Sequence, residues 1–349
     1  MLIAGDIGGT NTRMALYELQ GEQLVQLVAK NYPSREYGNL TEIAAHFKAL
    51  AQQQVRAAAL TQAVFGLAGP VDRLRGECIT TNLPWHVKAT ELKSVLGIDA
   101  VYLLNDVESI SYGVLHLGTE DVVALNRNPE AQQADSKGNK VLIAPGTGLG
   151  EAILVYDWQD NLYHISATEG GHADFAPRNQ FEMGLLRHLH DKFWDDSFGH
   201  ISYERVISGQ GIGHIYDYLK ESFSISENPQ VAMQLQQAKP DKRAAIISEA
   251  ATRHQSELCM TTMTTFVSIL GAEAGNMALK TLAYGGVYLG GGIPPKIIEK
   301  LEDGSFMAAF VNKGRFANVM ARIPVYVIVR DEPGLFGAAC YAQFHAAQG

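Results

Sequence analysis

Three things are scarce in this sequence. Cysteine is the first: Cys78, Cys259 and Cys340 stand far apart, and no Cys-x-x-Cys pair exists. That excludes a structural zinc knuckle built on thiolates, and three scattered thiols fit a reducing cytoplasm. Positive charge is the second. The chain has 28 Lys and Arg against 37 Asp and Glu, a net charge of −9. A nucleic-acid binder needs a basic face to meet phosphates, so no nucleic-acid partner is expected. A single nucleotide escapes that argument, because one site can be locally positive. Long uncharged apolar runs are the third. The most apolar stretch, 258–282, carries four threonines between Thr261 and Thr265, then Glu273, Asn276 and Lys280. It reads as a buried helix rather than a membrane span. The opening Met1-Leu2-Ile3-Ala4-Gly5-Asp6 has neither a basic region nor a long apolar one, so neither a signal peptide nor a membrane partner is expected.

A chain of 349 residues is too long for one typical core, which makes two domains the better expectation. Hydrophobic residues at 46% and charged residues at 19% are ordinary for a soluble globular protein. Glycine is abundant, at 34 residues, and much of it is clustered. Leu2-Ile3-Ala4 stops at Gly5-Asp6, the turn Ile7-Gly8-Gly9-Thr10 follows, and Thr12 to Leu19 alternates as a strand does. Leu24 to Tyr32 reads as a third strand. Apolar residues recur at helical spacing from Leu40 to Ala51, with Asn39 and Glu42 placed as a capping pair. Strands are expected at Ala63–Leu67 and Val101–Leu104, the latter ending at Asn105-Asp106 before a helix from about Val107 to Leu117. The polar stretch Arg127–Lys140 reads as an exposed loop. Val141 to Ala144 then runs into Pro145-Gly146-Thr147-Gly148-Leu149-Gly150, and a strand at Ala152–Tyr156 follows. A third cluster, Gly285 to Pro294, includes a short strand. The polar segment 226–244 suggests no role.

The chain thus runs strand, Gly/Thr turn, strand twice, at 2–17 and 141–156, which suggests two related domains that each present one glycine-rich hairpin. Glycine lets a ligand approach the backbone, and consecutive exposed N–H groups cradle an anion, with Thr adding a hydroxyl. The paired hairpins, flanked by Asp6, Thr10 and Thr147, therefore read as phosphate binders; an ordinary tight turn is the alternative for either alone. Neither is a dinucleotide motif, since Glu151 stands where the third glycine would fall. The Pro294-Pro295-Lys296 run is not a P-loop, because Ile297 follows the lysine. Asp106, at a strand end before a helix, can be an N-cap or a general base. Glu169-Gly170-Gly171-His172 places an acid and an imidazole three apart. Both can bind sugar hydroxyls, and Gly171 would let the chain pass close to a ring; a metal site or a plain turn are the rival readings. Glu204 is a hydroxyl ligand or a solvated first-turn acid.

The ordered series then resembles a family. Gly5-Asp6-Ile7-Gly8-Gly9-Thr10-Asn11-Thr12-Arg13 is similar to the first phosphate motif of sugar kinases in the actin-like ATPase superfamily. Thr81-Asn82-Leu83-Pro84-Trp85, Asn105-Asp106, Gly146 to Gly150, Glu169 to Phe175, Tyr203 to Gly209 and Gly290 to Ile293 occur in the order found in bacterial glucokinases. Lys313-Gly314-Arg315-Phe316 and Pro333-Gly334-Leu335-Phe336-Gly337 complete the series, which covers nearly the whole chain.

The resemblance implies an α/β fold of two actin-like ATPase domains with mixed sheets, flanking helices and a cleft between them. The small domain would be 1–118 with about 333–349, and the large one 119–332. It implies ATP-dependent phosphorylation of glucose at the 6-hydroxyl, with Asp106 as the base. Asn82, Asn105, Glu169, His172 and Glu204 would bind the sugar with Asp106. Gly5, Asp6, Ile7, Gly8, Gly9, Thr10, Thr147 and Gly148 would hold ATP phosphates, Gly291 and Gly292 would approach the adenosine, and Asp6 would sit near Mg²⁺. A homodimer is implied as well. Kinases of the ROK family carry a Cys-rich zinc motif after their Glu-x-x-His; here the next cysteine after His172 is Cys259, which points to the zinc-free group. The chain starts directly with a strand, so no DNA-binding module is expected, and it ends soon after the last expected helix, so no chaperone client domain is expected. Two rival readings stand beside this one: a kinase for another hexose such as mannose or fructose, and a non-catalytic sugar sensor, which would need neither Asp106 nor the phosphate turns.

Overall fold

The computed structural model describes residues 1–21, 23–55, 59–126, 135–197, 199–223 and 225–346. The chain divides into two compact units, 1–120 with 330–349, and 121–329.

The first unit begins with β1 (Leu2–Ile7), β2 (Asn11–Gln20), β3 (Gln23–Pro33) and helix α1 (Leu40–Gln54). Asn39 caps α1, its Oδ1 accepting from the Glu42 N–H at 2.9 Å. The Glu42 carboxylate reaches back to the Gly38 N–H at 3.0 Å, one residue earlier than a standard capping box. Next come β4 (Gln62–Leu67), β5 (Val71–Asp72), β6 (Glu77–Ile79), β7 (His86–Lys88), α2 (Ala89–Leu96), β8 (Ala100–Asn105) and α3 (Asp106–Val114). α3 stops three residues short of the expected Leu117.

The main sheet of this unit has the order β3-β2-β1-β4-β8, antiparallel across β3, β2 and β1 and parallel from β1 to β4 and β8. β1 is central, and both its faces are covered, so it reads as a continuous apolar run rather than an alternation. Ile3 and Ile7 join Phe47, Phe65 and Leu92 on one side, and Leu2 and Ala4 meet Leu335, Ala338 and Ala342 on the other.

The second unit contains β9 (Val122–Ala124), β10 (Lys140–Pro145), β11 (Leu149–Asp157), β12 (Leu162–Thr168), α4 (Gln180–Ser197), α5 (Gly209–Phe223), α6 (Pro229–Gln237), α7 (Arg243–Thr252) and α8 (Glu257–Thr281). β13 (Gly286–Leu289), α9 (Ile298–Leu301), α10 (Ser305–Val311), α11 (Ala317–Met320) and β14 (Val325–Ile328) complete it. Its sheet order is β12-β11-β10-β13-β14-β9. The first five strands repeat the first unit's pattern of two antiparallel pairings followed by two parallel ones. The repeat read from the two glycine hairpins is thus a repeat of whole sheets.

Helix α8 is the apolar stretch singled out in the sequence, and no helix among the described residues is long and apolar enough to cross a membrane. Its Gly271 and Gly275 admit α10: a Cβ at either would fall 2.3 and 2.6 Å from the Phe306 and Phe310 carbonyl oxygens. Within the segment without an assigned role, α6 is a short helix capped by Asn228 and anchored by buried Val231. Of the expected loop 127–140, residues 127–134 lie outside the described residues; 135–139 form a turn into β10. The chain closes on α12 (Pro333–Ala346), which packs with the first unit.

Candidate functional site

The β1–β2 turn is closed by the Gly8 N–H donating to the Asn11 carbonyl at 2.9 Å. Ser34, fully buried after β3, locks this tip. Its hydroxyl donates to the Gly8 carbonyl at 2.8 Å, its N–H donates to the Thr10 carbonyl at 2.9 Å, and its Oγ lies 3.0 Å from Thr12 Oγ1. Gly8 and Gly9 are half-buried and Thr10 is exposed. A Cβ on Gly9 would fall 2.7 Å from the Asn82 Cβ, so the tip touches a residue expected at the sugar. Gly5 and Ile7 lie within the strand instead. Ile7 is core, and the space beside Gly5 is filled by the Phe65 ring, 2.6 Å from where a Cβ would stand. Their side-chain requirements come from packing, so any phosphate contact they make is through the backbone.

Asp6 is 22% exposed and holds Arg13 at 3.2 Å; Arg13 also meets Glu332 at 3.2 Å. Burial raises the Asp6 pKa, and Arg13 offsets this only in part, with Glu332 acting in the same direction as burial. A Cβ on Gly334 would fall 3.2 Å from the Asp6 carboxyl carbon. Glu332 adopts a left-handed backbone, φ 52°. Arg13 and Gly334 belong to motifs quoted from the sequence; Ser34 and Glu332 also reach this region, and their local sequence shows no sign of it, because they come from the end of β3 and from the return of the chain.

At the end of β8, Asn105 and not Asp106 is the N-cap of α3. Its Oδ1 accepts from the Val107 and Glu108 N–H groups at 2.9 and 3.4 Å, and its Nδ2 donates to the Gly69 carbonyl at 3.2 Å. Asn105 keeps one N–H for a ligand. Asp106 is the first helical residue, half-buried, with Oδ1 2.9 Å from the Val107 N–H. Burial and then the Asp106 carboxylate push the Cys78 thiol up to about 11. Helix α3 is held by α12 through glycines: a Cβ on Gly337 would fall 1.7 Å from the Ser109 carbonyl oxygen, and the Ser109 hydroxyl donates to the Gly334 carbonyl at 2.8 Å.

In the second unit the parallel strands β10 and β13 end side by side, and two glycine clusters converge there. The Ile293 N–H donates to the Pro145 carbonyl at 3.3 Å, and the Gly209 N–H donates to the Gly146 carbonyl at 2.8 Å. Gly291 has φ 77° and approaches Pro145 so closely that a Cβ would fall 2.6 Å from its carbonyl oxygen; Gly292 is exposed with open space beside it. Thr147 is exposed at the hairpin tip. Glu204 docks onto that hairpin, its Oε2 accepting from the Leu149 N–H at 2.9 Å and standing 2.4 Å from where a Gly148 Cβ would be. The family resemblance implies a hydroxyl-binding role for Glu204; the structure adds that one of its oxygens fastens the turn holding Thr147 and Gly148.

Glu169 and His172 bracket a 3-10 turn, Gly170–His172, and both side chains are exposed, with Nε2 and Oε2 3.9 Å apart. Gly171 answers to the strand beneath it: a Cβ would fall 2.1 Å from the Leu149 carbonyl oxygen. Among the described residues the one cluster of three metal-type ligands is Asp157, Asp160 and His164, on the β11–β12 hairpin, and it includes neither Glu169 nor His172. All three cysteines are buried and unpaired as disulfides.

Twin mixed sheets, each opening with a glycine hairpin, define the actin-like ATPase fold in which sugar kinases are found. The comparisons with known proteins make the assignment specific. The family model described as Glucokinase matches residues 3–345. A glucokinase of Synechocystis sp. is 38% identical over 356 aligned positions, covering 98% of each chain. The crystal structure of a glucokinase from an Antarctic psychrotroph superposes with a TM-score of 0.82 at 29% identity, covering 98% of each chain. That of the Balamuthia mandrillaris glucokinase in complex with glucose has a TM-score of 0.79 at 20% identity, covering 100% of this chain and 93% of the other. The chain belongs to the glucokinase family.

Proposed function

We propose that the protein transfers the γ-phosphoryl group of ATP to the 6-hydroxyl of glucose, with Asp106 as the general base. Family membership supports the hexose-kinase activity and ATP as co-substrate. The observation that carries the base assignment is the division of labour at the end of β8. Asn105 supplies the cap that α3 needs, and Asp106 follows it as the first helical residue, its half-buried carboxylate placed at the strand edge where ligands bind in parallel sheets.

Phosphoryl transfer asks the protein mainly for positioning and for donors to the developing charge. In this reading the Gly8, Gly9 and Thr10 turn and the Thr147-Gly148 turn offer N–H and hydroxyl donors to phosphates. Gly291 and Gly292 pass close to the adenosine. Asn82, the remaining N–H of Asn105, Glu169, His172 and the second oxygen of Glu204 orient the sugar hydroxyls. Asp106 accepts the 6-hydroxyl proton, the one proton task the reaction sets. Asp6 suits a divalent cation. Its carboxylate is a hard oxygen donor in a desolvated place, where Arg13 leaves part of the burial cost uncompensated. Magnesium held there would supply charge neutralisation for the phosphates. A cytoplasmic location and a homodimer belong to the same proposal, and light scattering tests the latter.

A coupled assay with ATP and Mg²⁺ across glucose, mannose, fructose and N-acetylglucosamine tests the function. Glucose is expected to have the highest kcat/KM. Preference for mannose or fructose would move the protein to another hexose, and no turnover with any of them would reject the kinase reading.

A further inference from the structure

Beneath the Glu169–His172 turn lies an acid that the proposed mechanism does not use. Glu151 follows the second glycine hairpin on β11 and is 4% exposed. Its neighbour across the sheet is Thr168 on β12, whose hydroxyl donates to the Glu151 carbonyl at 3.1 Å and accepts from the Gly170 N–H at 3.1 Å. The Glu151 carboxylate presses on Gly170 itself: a Cβ there would fall 2.1 Å from Oε2. Its other oxygen, Oε1, is buried with no hydrogen-bond partner among the described residues.

A second buried acid, Glu273 on α8, is 3% exposed and accepts from Asn276 Nδ2 at 2.9 Å. Tyr203 donates its hydroxyl to Glu273 and lies 3.3 Å from the same Asn276 amide. Tyr203 opens the turn that carries Glu204, and its N–H donates to the Ala173 carbonyl just past His172. The amide oxygen of Asn276 accepts from Lys313 at 2.6 Å, which gives the Lys313-Gly314-Arg315-Phe316 motif a structural reason. One buried polar group thus supports both turns assigned to the sugar.

We propose that Glu151 is a positioning residue for the sugar-binding turn Glu169–His172 and that it does this work in its protonated form. The inference rests on the glucose-kinase reading above. An ionised carboxylate with one oxygen unpaired inside the protein, beside a second buried acid, is the costliest arrangement these groups can adopt; a proton on Glu151 removes the charge. Burial first, then Glu273, pushes Glu151 up to about 7, while Lys280 opposes them. The other charged or titratable groups facing this region are Tyr203, Lys313, Glu204, and, on the turn itself, Glu169 and His172. Because the folded pKa lies above the ordinary 4.5, the contribution is present in full below about 4.5 and is lost as pH rises through about 7. Above that pH the ionised Glu151 repels Glu273 and loosens its seat under Gly170.

The experiment is glucose KM, ATP KM and melting temperature of the whole protein from pH 5.5 to 8.5, for wild type, E151Q and E151A. Wild-type glucose KM is expected to rise by at least about 5-fold across the range, with ATP KM much less affected. E151Q, a neutral isostere at every pH, is expected to flatten that rise and to melt higher than wild type at pH 8.5 but not at pH 5.5. E151A is expected to raise glucose KM at every pH. A glucose KM in E151Q that rises with pH as in wild type would overturn the proposal, as would equal defects in E151Q and E151A. Should no variant phosphorylate glucose, the kinase reading fails. The melting comparison then still decides on Glu151: a wild-type-minus-E151Q difference that is constant with pH rejects its protonation.

Discussion

In the proposed function Glu204 serves fold and ligand together. Its Oε2 holds the Leu149 N–H at 2.9 Å, so the carboxylate fixes the Thr147-Gly148 turn in the absence of any sugar. Glu204→Gln keeps an amide oxygen for Leu149 and removes the charge offered to a sugar hydroxyl. Hydrogen bonds to charged groups are worth about 1.5–3 kcal/mol, so glucose KM should rise roughly 10- to 100-fold at nearly unchanged melting temperature. Glu204→Ala should in addition lower stability by about 1–3 kcal/mol, because the Leu149 N–H loses its partner. Steady-state kinetics and thermal melts on the two variants separate these effects. Equal melting temperatures for both would mean the Leu149 bond contributes nothing.

Among the elements, α3 and α12 set the position of the proposed base. Asp106 is the first residue of α3, and the helix is registered on α12 by the contact of Gly337 with the Ser109 carbonyl. Gly337→Ala inserts a methyl where backbone stands 1.7 Å away, so the helices must separate. Overpacking of this kind costs about 1–3 kcal/mol, and kcat should fall along with stability because the start of α3 moves. Chemical denaturation and kcat measured together check this; loss of stability with full kcat would show that α3 does not govern the base. The hairpins and strands were legible in the sequence because alternation and glycine punctuation are local signals. Asn39 likewise announced α1, whereas the supports of the site did not announce themselves. Ser34 and Glu332 act across 22 or more residues, and no local pattern distinguishes them from surface residues. Gly5 and Gly171 are legible as special, and the structure adds a packing reason for each: a phenyl ring and a strand carbonyl stand where a Cβ would be.

For the whole molecule, the sheet repeat is the deepest regularity. Each unit places a glycine hairpin and a parallel strand end at the edge of one sheet, and the residues assigned to phosphate and sugar gather at those edges. The units differ in the chemistry they carry: the first holds Asp6 and Asp106, and the second holds the exposed Glu169 and His172 over a buried pair of acids. The account therefore predicts that binding and chemistry separate by residue. The sharpest test is Asp106→Asn, with glucose affinity by calorimetry and turnover by coupled assay on one preparation. Glucose affinity close to wild type with kcat lowered roughly 10²- to 10⁴-fold is the predicted result. Turnover near that of the wild type would contradict the assignment of the base and, with it, the central claim.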